Sequence, residues 1–173
     1  MIKSIFIKNV STSIFRLVSK GQRKHCDGFT LIEVLFVIAI LATLAAIAIP
    51  AYSNYMQRAK IAKCITEVIM LELEITAYIG NNGKLPDNLN DLGRGNILDP
   101  WGNPYQFLNF DNVKGKGKGK MRKDHNLVPL NTDYDLYSMG KDGKSKSPLT
   151  AKASHDDIIR ANNGSFTGIA SDY

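Results

Sequence analysis

The sequence predicts an α+β fold: a long N-terminal α-helix, half membrane-spanning and half amphipathic, packed on a small antiparallel β-sheet with a loop-rich C-terminal region. Three observations lead there. Val34 to Ile49 is an uncharged run in which Thr43 is the only polar residue. Ile61, Ile65, Val68, Leu71, Ile75 and Tyr78 then recur at steps of three and four, the spacing of one helical face. Further on, "PYQFLNF" (104–110) and "DYDLYSM" (133–139) carry the aromatic and alternating residues that suit strands.

The membrane half comes first. With Phe29 to Ile32 and Ala51 to Tyr52 the apolar stretch reaches about 24 residues, enough to cross a bilayer that needs roughly 20. The chain has a formal net charge of +6 over 173 residues. Lys3, Lys8, Arg16, Lys20, Arg23 and Lys24 place six of the 22 basic residues before the span, against Asp27 alone among the 16 acids, so 16 basic and 15 acidic residues remain. Basic residues on that side put the N-terminus in the cytoplasm and the C-terminal part outside. A cleaved signal peptide is the competing reading, with "ATLAA" as its small-residue site. The length of the run, and its continuation into a helical pattern after Pro50, favour a retained single-span anchor. Cys26 lies in the basic leader, which leaves Cys64 as a small packing residue with no disulfide partner once the leader is gone.

Glu33 stands out. A carboxylate inside a membrane helix costs about 2.5–3.5 kcal/mol on insertion scales, so it is a functional candidate by default. No Lys or Arg lies within the span to pair with it. The alternative is an interfacial side chain that snorkels to water.

Beyond the span, the stripe predicts that the helix continues as an amphipathic rod until "GNNGK" (80–84) stops it. "LPDNLNDLG" (85–93) predicts a turn and a short helix. "DPWGNPY" (99–105) predicts consecutive turns, with the only Trp against the core. Six positive charges fall between Lys114 and Lys123, spaced by glycines. They read as a solvated hairpin tip, or alternatively as a basic contact for nucleic acid or an acidic partner. No aromatic residue interleaves the lysines, which argues against a nucleic-acid site.

"GFTLIEV", followed by an apolar run and a proline, resembles the processing signal of type IV pilins and pseudopilins, with Gly28, Phe29, Thr30, Leu31, Ile32 and Glu33 agreeing in order. The resemblance implies a pilin-like fold. It also implies cleavage between Gly28 and Phe29 by a prepilin peptidase, and methylation of the new Phe29 amine. The organisation it gives is a basic leader at 1–28, a transmembrane and filament-core helix at 29–52, and a periplasmic head at 53–173 that includes the amphipathic half of the helix. In a filament, Glu33 of one subunit would neutralise the Phe29 amine of its neighbour and so set register, since breaking a buried charge pair costs about 3–5 kcal/mol. Pro50 falls where the family tends to place a helix break. Twenty-eight residues is a long leader for the short-leader branch of the family.

The loop motifs resemble the major pseudopilins of type II secretion. "DPWGNPY" is similar to one of their signatures, and "YSMGKDGKS" (137–145) to their calcium-binding turn. The resemblance implies a structural Ca2+ held by the Met139 carbonyl and the carboxylates of Asp142, Asp156 and Asp157, residue types that suit this ion. Lys141 and Lys144 beside Asp142, and "KSKSPLTAKASH" in place of a glycine-rich loop, depart from the pattern. Without the resemblance these are two surface turns with solvated aspartates. His155 is a loop histidine with no second His or Cys nearby in sequence.

The function this implies is a non-enzymatic filament subunit: a homo-polymer working with minor pseudopilins and an inner-membrane assembly platform to export folded proteins. A major or minor type IV pilus subunit is the alternative. No nucleophile elbow, phosphate loop or catalytic metal cluster occurs in the sequence. A simple membrane-anchored binding domain is the third reading, separable from a pilin by whether its N-terminus is processed.

Overall fold

The computed structural model describes residues 28–173, so the basic leader lies outside the described residues except for Gly28. The chain divides between Thr43 and Leu44 into two compact units.

In the first unit, Gly28 to Thr30 lead into helix α1, which runs from Leu31 to Asn82 and therefore continues into the second unit. Every residue from 28 to 56 is exposed. Leu31–Asn82 is long and apolar enough to cross a membrane. An exposed apolar surface of this extent needs lipid or other protein to cover it.

Pro50 does not break the helix. It sits in the interior of α1, which is continuous on both sides of it. Proline removes one N–H, the donor to the carbonyl of Ala46, while neighbouring turns keep their bonds. The expected break is therefore confined to one missing hydrogen bond.

In the second unit, α1 packs on a four-stranded antiparallel sheet of order β1-β2-β3-β4, with β1 Gln106–Asn109, β2 Tyr134–Ser138, β3 Ile158–Ala161 and β4 Phe166–Ile169. The buried stripe of α1 is Cys64, Val68, Leu71 and Ile75, flanked by half-buried Ile61, Ile65 and Ile79. These meet Tyr134 and Leu136 of β2 and Ile158 of β3. Side chains alternate along a strand, and the opposite face carries a second core of Leu130, Leu149, Ile159, Ala161 and Ala170, with Tyr137 and Phe166 against it. The segments on either side of β2 supply Leu130 and Leu149, so the loops, not a second helix, cover that face. Gly83, at φ +68, follows the helix end, and Asn88 caps a short 3-10 turn at Leu89–Leu92.

The C-terminal region is more regular than expected. β3 and β4 pair over Ile158↔Ile169 to Ala161↔Phe166, joined by Asn162, Asn163 and Gly164, all with positive φ. The lysine-glycine segment is not a bare hairpin tip either. Gly115–Lys120 forms a 3-10 turn, and Lys123 bridges to Pro148.

Candidate functional site

Two places carry the residues of interest. The first is the start of α1. Thr30 donates to Glu33 Oε2 from its backbone N–H at 2.8 Å and from its hydroxyl at 2.7 Å, and the Glu33 N–H donates back to Thr30 Oγ1 at 3.3 Å. This is a capping box: a threonine at the helix entry and a glutamate three residues on satisfy each other's orphan backbone donors. The negative carboxylate also sits at the positive end of the helix. The Thr-x-x-Glu spacing was legible in the sequence, and sequence reasoning missed it by attending only to the charge. Gly28 and Phe29 precede the helix and are exposed, so among the described residues nothing covers the bond between them.

The second place is the cluster of C-terminal loops. Asp99, buried, holds the 99–105 turn together. Its Oδ1 accepts the N–H groups of Trp101 at 2.9 Å and Asn103 at 2.8 Å, and its Oδ2 accepts the Ser138 hydroxyl at 2.6 Å. Asn103 in turn donates to the Gly140 carbonyl at 2.8 Å. The two motifs, far apart in sequence, are thus clasped to each other. Trp101 packs on the core from this loop and donates its indole N–H to Gln57 Oε1 of α1 at 3.2 Å.

The expected calcium ligands fare differently from one another. Asp142 and Asp156 come together, but through an amide: the Asp142 N–H donates to Asp156 Oδ2 at 3.0 Å, and Asp142 Oδ1 accepts the Lys144 N–H at 2.7 Å. Met139 precedes Asp142 in the turn, next to Gly140, whose φ is +64. Asp157 is elsewhere. It is fully buried, and its Oδ2 accepts from the Arg122 guanidinium and, at 2.6 Å, from the Ser145 hydroxyl. Asp156 lies in the turn before β3, whereas Asp157 immediately precedes the strand, and the two neighbours take different surroundings. Among the described residues, no three His, Cys, Asp or Glu side chains are grouped to hold a metal ion. Of the expected Ca2+ ligands, the fold thus brings Asp142 and Asp156 together and turns Asp157 to Arg122. Burial pushes the Asp157 carboxyl up to about 6, against the Ser145 hydroxyl and Arg122, which favour its charged form. Burial likewise raises Asp135, opposed by the Arg122 N–H and Asn131.

Sequence reasoning also missed two buried arginines. Arg122 belongs to the segment between β1 and β2. Arg160, on β3, donates to Glu72 Oε1 of α1 at 2.7 Å and forks onto both oxygens of Asp133 at 2.9 and 2.8 Å. An arginine among lysines, or between isoleucine and alanine, gives no sequence signal of which way it points.

Residues 23–49 match the prokaryotic N-terminal methylation motif. The chain is 33% identical over 144 residues to type II secretion system core protein G of Pseudomonas aeruginosa, covering 71% of this chain and 89% of that protein. It belongs to the type IV pilin-like family. A fimbrial protein of Neisseria meningitidis serogroup B is 42% identical over 141 residues, covering 78% of this chain and 82% of its own length. The type IV major fimbrial protein FimA of Dichelobacter nodosus is 32% identical over 114 residues, covering 66% and 71%. Members of the pilin-like family are structural and not enzymatic. Membership implies processing by prepilin peptidase and polymerisation, and the long apolar helix is consistent with an inner-membrane prepilin that assembles into a filament.

Proposed function

We propose that this chain is a pseudopilin of a type II secretion system, cut between Gly28 and Phe29, methylated at Phe29 and polymerised through α1 to help export folded proteins. Before assembly it spans the inner membrane once, with its N-terminus in the cytoplasm and its head in the periplasm. Minor pseudopilins and the assembly platform are its partners. Polymerisation exchanges lipid contact along 29–52 for contact with other subunits, and Glu33 sets register by neutralising the Phe29 amine of a neighbour.

The observation that carries the secretion reading is the clasp of the 99–105 loop to the 138–142 turn by Asp99–Ser138 and Asn103–Gly140. It joins the two motifs that resemble the major pseudopilins. Similarity to core protein G over 89% of that protein supports it. A second reading, a type IV pilus subunit, is favoured by the 42% identity to the meningococcal fimbrial protein over 78% of this chain. A clean deletion in the native host, scored for the secreted proteome and for surface pili, separates them. Loss of specific secreted proteins with pili intact is expected; loss of pili with secretion intact overturns the secretion reading.

A further inference from the structure

The segment between β1 and β2 is the part of the chain that the family resemblance does not explain, and it ends in a buried cation. We infer that Arg122 supplies from within the chain the positive charge that closes the C-terminal loops, so that the head folds independently of calcium.

The guanidinium of Arg122 gathers three oxygens from the 145–157 loop: the Ser145 hydroxyl, the Lys146 carbonyl at 2.8 Å and Asp157 Oδ2. A hydroxyl, a carbonyl and a carboxylate are the kinds of oxygen that a hard cation collects from a loop. The Arg122 side chain is only 2% exposed and Asp157 not at all. The guanidinium also lies 4.3 Å from the centre of the Tyr137 ring, on its face, a favourable place for a cation.

The backbone around Arg122 is fixed for this task. Its N–H donates to Asp135 Oδ2 at 2.6 Å, and its carbonyl accepts from the Leu130 N–H at 2.8 Å. Lys123, next in sequence, donates to the Ser147 carbonyl at 3.1 Å and accepts from the Leu149 N–H at 2.9 Å. The inserted segment is thus laid along the very loop whose oxygens its arginine binds.

The carboxylates left over do not make a metal site. Asp156 and Asp142 each already give one carboxylate oxygen to a backbone N–H, Oδ2 of Asp156 to Asp142 and Oδ1 of Asp142 to Lys144. Calcium takes six to eight oxygens, and here Oδ2 of Asp157 is already committed to Arg122 and Ser145, while Oδ1 is buried without a hydrogen-bond partner among the described residues. A guanidinium is always charged and forks onto planar acceptors, so it performs the neutralising role without depending on ion concentration.

The test uses the full-length protein in detergent micelles, with thermal unfolding followed by the fluorescence of Trp101. The melting temperature is expected to be the same in EGTA and in excess Ca2+; a fall on chelation overturns the inference. Arg122→Met is expected to lower the melting temperature by roughly 10 °C, because it leaves Asp157 buried without a counter-ion. Arg122→Met combined with Asp157→Leu is expected to recover most of that loss. A double variant no more stable than Arg122→Met would show that Asp157 is not the partner and overturn the assignment. Should Arg122→Met fail to fold, the chelation comparison on the unaltered chain still decides.

Discussion

Glu33 accepts both the backbone N–H and the hydroxyl of Thr30 through one carboxylate oxygen, at 2.8 and 2.7 Å. The carboxylate at the head of this long apolar helix therefore has a partner within its own chain. The capping box uses only Oε2 for these two bonds, so a neighbour's amine could be met at Oε1 without dismantling the cap. Local helix start and intersubunit register are compatible roles of one side chain.

Separating those roles requires two substitutions. Glu33→Gln keeps an acceptor oxygen for Thr30 and removes the charge, whereas Glu33→Ala removes both. The register role predicts that both variants are cleaved at Gly28 and that both fail to assemble. Intact mass reports cleavage, and sheared or cross-linked filaments report assembly. Normal filaments from Glu33→Gln would reduce the residue to a helix cap.

Much of the fold is written in local pattern, and what is not has a physical cause. The stripe from Ile61 to Ile75 shows its burial because one helical face repeats over several turns. β1 and β2 fall within the predicted 104–110 and 133–139. β3 escaped because all four of its residues are buried, Ile158 and Arg160 on the helix side and Ile159 and Ala161 on the other, so no polar alternation survives. "NNG" at 162–164 was the available hairpin signal. At the candidate site, the pairing of Asp156 with Asp142 was foreseeable, but the withdrawal of Asp157 was not. It depends on Arg122, 35 residues away and hidden in a lysine-rich run that composition alone reads as solvated.

Arg160 ties the sheet to the helix, and its loss has a definite size. Its guanidinium bridges Glu72 of α1 and Asp133, and it stacks 4.0 Å from the Tyr134 ring. Removing one partner of a buried charged network costs about 3–5 kcal/mol, discounted here because Glu72 and Asp133 keep some solvent. Arg160→Met should destabilise the head by about 2–3 kcal/mol on that basis. Arg160→Lys should recover only part of it, because an ammonium cannot fork onto Asp133. Urea unfolding of the three proteins measures both; a full rescue by lysine would mean that charge alone matters.

Gly140 is held to glycine by its surroundings. Its φ is +64, and a Cβ there would stand 2.2 Å from the Asp156 carbonyl oxygen. Gly140→Ala should therefore part the 138–142 turn from the 155–157 segment and destabilise the head by more than about 1 kcal/mol. Limited proteolysis should then show new cleavage between residues 140 and 157. Unchanged protection there would mean that the two segments separate without consequence.

Alkali should unfold this head from a buried thiol and two buried phenols. Burial raises the Cys64 thiol from its ordinary 9.0 to about 11, with Tyr105 and Ser138 hydrogen-bonding against it. Tyr105 and Tyr134 are raised in the same direction by burial. A group that ionises later in the folded chain than in the unfolded one stabilises the fold fully below its unfolded value. That stabilisation is lost as pH rises towards the folded value. For Cys64 the loss falls between about pH 9 and 11. Unfolding free energies from denaturant titrations should accordingly be flat near neutrality and decline above pH 9, with Cys64→Ala removing its share of the slope. In the native protein, iodoacetamide should leave Cys64 unmodified at pH 8 and label it once denaturant is added. Rapid labelling of the folded chain at that pH would show that the stripe on α1 opens readily, and the alkaline decline would then need another origin.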